Sequence, residues 1–378
     1  MPRQDASAAS AGRRLLFFVS SMNAGGAERV AATLANAWAQ RGDTVWLVMT
    51  HLDSHSSFYS LDPRVRCIAL SEWMTPSLAP VLWRKWRAMR AIHDDFAPDV
   101  VLSFLTNVNV NVLWALRAVS TPVLVAERTH PLYSASAGRL LSWLRLRLYG
   151  KAQRVILQTE RAAEDFATIF TSCPVVVIPN PLPADLLQWA PRFPRPLTQP
   201  PQVVALGRLA PVKQFDRLIE AFARLPLKYE HWHLRIYGEG PQRDALQQQI
   251  TQLGLQGRVH LPGNTTEPWK KLQQAGVFVL CSAYEGFPNA LLEALYLGLP
   301  CLALDCPSGP AELSEQGRVA HLLPAQATAA QMSEALSTLL ADEGLRQRLG
   351  RAAHDSVDAR YRLEAVLGQW EALFEQVT

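Results

Sequence analysis

Short apolar runs alternate with helical patterns along almost the whole chain, and this alternation restricts the fold more than any other feature of the sequence. Residues 15–20 have the pattern of a strand, residues 27–40 that of a helix ending near Gly42, and residues 45–49 that of the next strand. Continuous Val, Leu and Ile runs are typical of parallel strands that are covered on both faces. The alternation therefore predicts an α/β fold with doubly wound parallel sheets.

The predicted strands form two series, and a length of 378 residues suits two domains. Later strands are expected at residues 100–104, 123–126, 155–158 and 175–178, then at 203–206, 234–237, 259–261, 277–280 and 301–304. Prolines between residues 179 and 201 have the composition of a linker. We expect a flexible tail at residues 1–13, a first domain at 14–185, a linker at 186–201, a second domain at 202–357, and a last helix, 358–378, that packs back on the first domain.

Residues 282–293, Ser-Ala-Tyr-Glu-Gly-Phe-Pro-Asn-Ala-Leu-Leu-Glu, carry the strongest functional signal. Glu285 lies in a turn after a predicted strand, and Glu293 lies about two helical turns further on. The helix that begins near Pro288 directs free N–H groups at this turn, which favours an anion there. Glu293 stands in an otherwise apolar helix, where a carboxylate is costly to bury without a partner, and this favours a functional role over a structural one.

Two further loops follow predicted strands of the second domain. Gly207 and Arg208 come directly after a strand, and Lys213 follows five residues later. The two cations suit a diphosphate, although a surface turn with solvated cations is the alternative. Gly238 begins a Gly-x-Gly sequence, but Arg243 stands where a dinucleotide-binding fingerprint has its third glycine. We therefore expect a tight turn that brings the backbone near a ligand.

Charge is distributed unevenly between the two halves. Residues 1–200 contain 21 basic and 14 acidic side chains, whereas the remaining residues contain 16 and 19. This asymmetry predicts that the first domain faces an anionic partner. Residues 83–90 and 143–151 mix Trp with Arg on predicted helices, which suits either a membrane interface or a helix whose apolar face packs in the core. The charge asymmetry favours peripheral attachment to an anionic membrane, and no nucleic-acid-binding module is recognisable.

The cysteines and acidic residues give no indication of a metal site. The five cysteines include no C-x-x-C pair and have no histidines at zinc spacing, so we interpret them as reduced core residues of a cytoplasmic protein. The chain contains no Asp-x-Asp sequence, so a carboxylate-bound metal ion is not expected. No apolar run reaches the roughly 20 residues of a membrane-spanning helix, and the first residues lack the apolar core of a secretory signal.

The pattern of Arg208, Lys213, Glu285 and Glu293 resembles the retaining, nucleotide-sugar-dependent glycosyltransferases of family 4. These enzymes have the GT-B fold, in which two Rossmann-like domains face a central cleft. The resemblance covers residues 14–375 and includes a first glycine loop at residues 23–29. Within the family, bacterial enzymes that extend polyprenyl-diphosphate-linked oligosaccharides, N-acetylgalactosaminyltransferases included, are similar at three segments: residues 103–107, 127–128 and 306–310.

The resemblance implies a role for each matched position. Arg208 and Lys213 would neutralise the donor diphosphate, Glu293 would hold the ribose hydroxyls, and Glu285 would contact the donor sugar and act in catalysis. Phosphate or sugar oxygens would be bound by the turn and the helix that follows, at Gly286, Phe287, Asn289, Ala290 and Leu291. The other donor-binding positions would be small or polar residues at strand ends: Gly25, Gly26, Gly207, Gly238, Gly263 and Asn264.

The family transfers sugars with retention, and in the simplest mechanism the leaving phosphate takes the acceptor's proton, so that no dedicated base is required. Glu127 and His130 are nevertheless candidate catalytic residues in the first domain, with Arg128 beside them. A single histidine before a proline is more often a loop or capping residue, which is the alternative for His130. Thr106 and Asn107, at another predicted strand end, are candidates for binding acceptor hydroxyls.

The sequence thus predicts a metal-independent, cofactor-free hexosyltransferase that takes a hexose or N-acetylhexosamine from a nucleotide sugar, with UDP as the expected nucleotide. The expected acceptor is a lipid-linked glycan, on polyprenyl diphosphate or lipopolysaccharide, in the assembly of polysaccharide, lipopolysaccharide or glycoprotein glycans. We expect the protein at the inner face of the cytoplasmic membrane. A nucleotide-sugar 2-epimerase and a catalytically silent membrane-associated subunit remain as alternatives.

Overall fold

Two parallel β-sheets, one in each half of the chain, form the framework of the protein. The computed structural model describes residues 12–52, 56–129, 138–171, 173–191 and 193–378. In these residues the first sheet has seven strands in the order 3-2-1-4-5-6-7, and the second has six in the order 10-9-8-11-12-13. Helices connect most successive strands, so the predicted α/β fold with two doubly wound, Rossmann-like domains is confirmed.

The first domain alternates strands and helices as the sequence pattern predicts. Its strands are Arg14–Val19 (β1), Thr44–Met49 (β2), Arg66–Ala69 (β3), Val100–Phe104 (β4), Val123–Ala126 (β5), Arg154–Leu157 (β6) and Val175–Val177 (β7). Its helices are Gly26–Gln40 (α1), Val81–Phe96 (α2), Thr106–Ala115 (α3), Arg139–Leu148 (α4) and Glu160–Ala167 (α5). Strand β3, which lies at the edge of the sheet, has no counterpart among the predicted strands.

The second domain repeats the arrangement. Its strands are Gln202–Leu206 (β8), His233–Tyr237 (β9), Val259–Gly263 (β10), Val277–Leu280 (β11), Cys301–Asp305 (β12) and His321–Pro324 (β13). The helices are Phe215–Ala223 (α6), Arg243–Gln252 (α7), Pro268–Gln273 (α8), Asn289–Tyr296 (α9), Pro310–Leu313 (α10), Ala329–Ala341 (α11), Glu343–Tyr361 (α12) and Leu363–Val377 (α13). Strand β13, again at a sheet edge, was not predicted.

Strand β1 shows why the apolar runs are continuous. Leu15, Phe17 and Val19 are buried in the core on one face of the first sheet, whereas Leu16 and Phe18 are buried in the core on the other face. Successive side chains of a strand point to opposite faces, so a strand that helices cover on both sides needs an apolar residue at every position. The second sheet also has a core on each face.

The C-terminal helix α13 packs against the first domain. Its buried side chains, at positions that share one helical face, join the core beside α1: Val366, Leu367, Trp370, Leu373 and Phe374. The predicted helix over residues 358–378 is divided in the structure, because Arg362 has extended backbone angles (φ −55°, ψ 146°) that end α12. Tyr361 still lies in the core of the second domain. The chain therefore crosses between the domains at Arg362, four residues later than the sequence pattern indicated.

Contacts between the domains close one side of the cleft. The carboxylate of Glu312, in the second domain, accepts the backbone N–H groups of Glu160 (3.2 Å) and Arg161 (3.0 Å) at the start of α5. Burial raises the pKa of this carboxyl group. Beside it, the hydroxyls of Thr159 and Ser308 lie 2.8 Å apart. These contacts hold the carboxyl ends of the two sets of parallel strands close together.

Three of the cysteines lie in the core, as predicted, but two do not. Cys281, Cys301 and Cys306 are buried, whereas Cys67 is exposed and Cys173 is half-buried. Burial raises the pKa of the Cys281 thiol to about 12, so this side chain stays protonated and behaves as an apolar core residue. In the described ranges, every helix is too short or too polar to cross a membrane.

Candidate active site

Lys213 and Glu285, which the sequence predicts to act on the same ligand, are in direct contact. The Lys213 ammonium donates to Glu285 Oε1 at 2.6 Å, and the hydroxyl of Ser282 donates to the same oxygen at 2.6 Å. A backbone hydrogen bond from Ala283 to the carbonyl of Val212 (2.7 Å) joins the two loops that carry them. Cation and carboxylate are therefore held at the carboxyl edge of the second sheet, where β8 and β11 lie side by side.

Glycines allow three loops to pack closely at this edge. A side chain on Gly207 would lie 3.3 Å from Lys213 Cε, and one on Gly238 would meet the carbonyl oxygen of Gly207 at 1.9 Å. The Gly238 N–H donates to the carbonyl of Gly263 at 2.9 Å. Gly238 (φ +146°) and Gly263 (φ +88°) also have backbone angles that favour glycine. The predicted tight turn is present, and only glycine fits this packing.

Glu293 is buried and has a cation from the opposite domain as its partner. The residue is 2% exposed. One carboxylate oxygen pairs with the guanidinium of Arg29, on α1, and the other accepts the indole N–H of Trp269 at 2.8 Å. In this structure Glu293 is therefore a buried salt-bridge partner, the structural alternative to the functional role that the sequence favours, and its contact with a donor stays a prediction. The sequence predicts no role for Arg29, although Arg29 ends the glycine-loop segment, and no sequence pattern marks Trp269.

The first glycine loop faces the start of α9 across the cleft. A side chain on Gly26 would lie 3.0 Å from the amide nitrogen of Asn289. Arg29, Asn289 and Glu293 line a pocket between the domains, together with residues of the segment that follows β7. Gly25 exchanges hydrogen bonds with the hydroxyl of Tyr59 (3.1 and 2.8 Å), which holds the loop in place. The two domains therefore meet at the first glycine loop, and the approach of Gly25 and Gly26 to a ligand stays a prediction.

The start of α9 offers fewer free donors than its sequence suggests. The N–H groups of Asn289 and Leu291 donate to the carbonyls of Phe287 and Pro288, each at 2.9 Å. The Ala290 N–H has no acceptor among the described residues. Phe287 and Leu291 are buried in the domain core. At the start of α9, the Ala290 N–H and the side-chain amide of Asn289 are therefore the donors left for a ligand.

Glu127 lies in a buried network beneath the cleft. It is 1% exposed, and its two oxygens accept hydrogen bonds from the hydroxyls of Thr106 (2.7 Å) and Tyr149 (2.5 Å). The Arg145 guanidinium lies 3.7 Å away, and burial raises the pKa of Tyr149. Because Glu127 is almost completely buried, it presents almost no surface to a substrate. The geometry favours a structural role for Glu127 and Thr106 over the catalytic and acceptor-binding roles predicted for them.

Arg128 connects the first-domain wall of the cleft to the second domain. One of its nitrogens, Nη1, donates to Asn180 Oδ1 at 2.6 Å, and Asn180 Nδ2 donates to Asn289 Oδ1 at 2.9 Å. A side chain on Gly286 would lie 2.2 Å from the Arg128 carbonyl oxygen. Gly286 therefore lets the turn that carries Glu285 touch the end of β5.

The remaining predicted residues are exposed or lie outside the described residues. Arg208 is exposed and has no ion pair within the described part of the chain. Asn264 and Asn107 are exposed at strand and helix ends. His130 falls in residues 130–137, outside those that the structure describes, and its catalytic role stays a prediction.

Comparison with known protein families covers both domains. The family model "Glycosyltransferase Family 4" matches residues 24–186, and the model "Glycosyl transferases group 1" matches residues 189–356. The first match ends, and the second begins, close to the proline-rich segment between the two sheets. Together the two models include every site residue described above.

Three proteins illustrate the similarity. An exopolysaccharide phosphotransferase from Streptomyces coelicolor is 34% identical over 54% of this chain, which spans only 21% of that relative. A Campylobacter jejuni α-1,4-N-acetyl-D-galactosaminyltransferase is 24% identical, with 96% of this chain and 99% of the relative covered. Its full name gives GalNAc-α-(1→4)-GalNAc-α-(1→3)-diNAcBac-PP-undecaprenol before the activity. The solved structure of HepE from Anabaena, in complex with UDP and glucose, superposes with a TM-score of 0.75 at 19% identity, covering 96% of this chain and 100% of HepE.

Proposed function

The chain belongs to the family 4 glycosyltransferases, and from this premise we propose that it transfers a hexose or N-acetylhexosamine from a nucleotide sugar to a lipid-linked glycan. The observation that carries the proposal is the pairing of Lys213 with Glu285 and of Arg29 with Glu293 at one cleft. A sugar diphosphate needs cations for its phosphates and carboxylates for its hydroxyls, and the cleft supplies both.

We propose UDP as the nucleotide. The supporting finding is that the Anabaena structure with the same fold holds UDP and glucose. In the proposed complex, Arg208 and Lys213 neutralise the diphosphate, the Ala290 N–H donates to a phosphate oxygen, and Glu293 accepts the ribose hydroxyls. Because Arg29 already pairs with Glu293, the ribose must share this carboxylate with Arg29 or displace it.

The proposed reaction is a transfer with retention that needs no metal ion. As the bond between the sugar and the diphosphate breaks, negative charge grows on the leaving phosphate, and fixed cations stabilise that charge without reorganising. The leaving phosphate oxygen takes the proton of the acceptor hydroxyl on the same face of the sugar. In this mechanism Glu285 positions both the donor sugar and Lys213, to which it is hydrogen-bonded.

The proposed acceptor is a glycan on polyprenyl diphosphate or lipopolysaccharide, reached at the inner face of the cytoplasmic membrane. The Campylobacter relative, which acts on an undecaprenyl-diphosphate-linked glycan according to its name, supports this proposal. The first domain also exposes apolar side chains next to cations. Trp83 on α2 and Trp143 on α4 are both 52% exposed, and Arg87 and Arg147 lie over their rings at 5.5 and 5.4 Å. Exposed Trp beside Arg suits the headgroup region of an anionic bilayer.

Replacing Trp83 and Trp143 together with alanine is expected to weaken binding to anionic vesicles by about tenfold or more, since two interfacial anchors are removed. Co-sedimentation with vesicles that contain phosphatidylglycerol measures the effect. The control is Leu227→Ala, because Leu227 is an even more exposed apolar residue (83%) and lies on the second domain. Equal vesicle binding by the double variant and the wild type would contradict a membrane-facing first domain.

A donor panel tests the proposed reaction. Thermal stability and hydrolysis are measured with UDP-GalNAc, UDP-GlcNAc, UDP-galactose, UDP-glucose, GDP sugars and, as a control, NAD. Stabilisation by one sugar nucleotide with slow hydrolysis supports the transferase and identifies its donor. Conversion of the donor to its 2-epimer favours the epimerase, whereas no response to any nucleotide favours a silent subunit.

Substitutions of the two glutamates are expected to separate binding from catalysis. Glu293→Ala should weaken donor binding by about tenfold to a hundredfold, because hydrogen bonds to a charged group are each worth roughly 1.5–3 kcal/mol. Glu285→Ala should mainly lower kcat, since Glu285 holds Lys213 and the sugar. Steady-state kinetics with donor varied gives both values. Glu267→Ala, an exposed glutamate paired with Lys270, is the control; unchanged kinetics in both test variants would exclude this site.

A further inference from the structure

Arg128 is a buried cation that its surroundings do not neutralise. The residue is 8% exposed, and its guanidinium carbon lies 3.5 Å from the centroid of the Phe104 ring. Burial lowers the pKa of Arg128 to about 9, so the side chain still carries its charge at neutral pH. No carboxylate pairs with it among the residues that the structure describes. A charge in such a place is costly unless something compensates it.

Two of the three guanidinium nitrogens are also unpartnered. Nη1 donates to Asn180, but Nε and Nη2 are buried and find no acceptor in the described part of the protein. A buried donor without an acceptor costs roughly 1–3 kcal/mol. The ring contact with Phe104 compensates for part of the charge, but it satisfies no N–H group. The arrangement leaves two adjacent donors, the fork with which arginine binds a phosphate or a carboxylate.

The other cations of the cleft distinguish Arg128 from the donor site. Lys213 pairs with Glu285, and Arg29 pairs with Glu293. Arg208 is unpaired within the described residues, but it is exposed and belongs to the second-domain wall, where we place the donor diphosphate. Arg128 stands on the first-domain wall, in contact with the Glu285–Gly286 turn through its backbone. The Arg128 side chain is linked to the start of α9 through Asn180, which donates to Asn289, so whether an anion bound there belongs to the acceptor or to the donor is decided by the UDP measurement below.

We propose that Arg128 binds an oxyanion of the acceptor, so that the accepting sugar carries a phosphate or a carboxylate close to the hydroxyl that is glycosylated. This inference rests on the proposed transferase function. Because the backbone of Arg128 lies against the Glu285–Gly286 turn, the inference places the anion on the residue that receives the new sugar. Two sources have this chemistry: a sugar linked directly to a lipid diphosphate, and a uronic acid at the end of a glycan.

The experiment compares the wild type with two test variants, Arg128→Gln and Arg128→Lys. The control is Arg117→Gln, because Arg117 is an exposed arginine of the same domain. The probes are farnesyl-diphosphate-linked N-acetylglucosamine, octyl glucuronide and the neutral octyl glucoside, with UDP as the donor-site probe. Binding is measured by titration calorimetry. We expect one of the two anionic probes to bind, and its affinity to fall about tenfold to a hundredfold in Arg128→Gln, because charge-assisted hydrogen bonds are lost.

Two further readouts, UDP affinity and melting temperature, separate the possible failures. UDP affinity should be equal in all variants; a parallel loss of UDP affinity in Arg128→Gln would assign Arg128 to the donor and overturn the inference. If UDP binds but no anionic probe binds in a manner that depends on Arg128, the inference alone fails. If UDP does not bind the wild type, the proposed function fails.

The melting temperature of ligand-free Arg128→Gln should equal or exceed that of wild type, because an uncompensated buried charge is removed and Gln158 still donates to Asn180. A clear drop would instead indicate a structural role.

Discussion

Replacing Lys213 with methionine is expected to lower kcat by on the order of 10² to 10³, the cost of removing one fixed donor to developing negative charge. Methionine keeps most of the volume of the lysine stem and removes only the charge. The contact of Lys213 with Glu285 at 2.6 Å shows that the ammonium is held by its surroundings, so its contribution comes from preorganisation. Single-turnover transfer with saturating donor measures the chemical step directly.

The control for this substitution is Lys270→Met. Lys270 belongs to the same domain and also pairs with a glutamate, Glu267, but both side chains are about half exposed. This variant should retain wild-type turnover, since exposed ion pairs contribute little. A turnover within about threefold of wild type for Lys213→Met would mean that the leaving-group charge is stabilised elsewhere, and Arg208 would be the next residue to replace.

The domain organisation and the pairing of Lys213 with Glu285 follow from rules that act locally. Parallel strands covered on both faces must be apolar throughout, and their carboxyl ends meet at one edge of the sheet. Residues that follow neighbouring strands, such as Lys213 after β8 and Glu285 after β11, are therefore brought together whatever the details of packing. For this reason sequence alone could place them at one site.

The pairing of Arg29 with Glu293 could not be derived in this way. It joins α1 of the first domain to α9 of the second, 264 residues apart, and depends on how closely the two domains approach. The same limit applies to Arg128. Whether its Nε and Nη2 find acceptors depends on side chains from all the elements that pack around it. Sequence patterns show which side chains face a cleft, but not which of them neutralise one another across it.

Helix α3 shows a second limit. Its Val and Asn residues alternate with the period of a strand, yet the segment is helical. Asn109 is fully buried and donates to the carbonyl of Ala126 and the hydroxyl of Tyr149, each at 3.1 Å. These tertiary hydrogen bonds override the local preference. The edge strands β3 and β13 are not predicted because each has only four residues, with a polar residue at its start and, in β13, a proline at its end.

Replacing Trp370 with alanine is expected to destabilise the first domain by about 3–5 kcal/mol, the usual cost of deleting a buried large aromatic side chain. Trp370 is 1% exposed, and its ring packs edge-to-face on Trp38 at 5.7 Å. The substitution opens a cavity between α13 and α1 and weakens the attachment of α13 to the first domain. Urea unfolding followed by circular dichroism measures the loss.

Trp83→Ala is the matched control, since the same side chain is removed from a site where it is 52% exposed; its effect should stay within about 0.5 kcal/mol. A loss below about 1 kcal/mol for Trp370→Ala would mean that α13 contributes little to the first domain. If the expected loss is found, then the first domain depends for stability on a helix that arrives only after the second domain in the chain. Truncation before Leu363 should then unfold the first domain while the second, whose cores contain no residue of α13, stays folded.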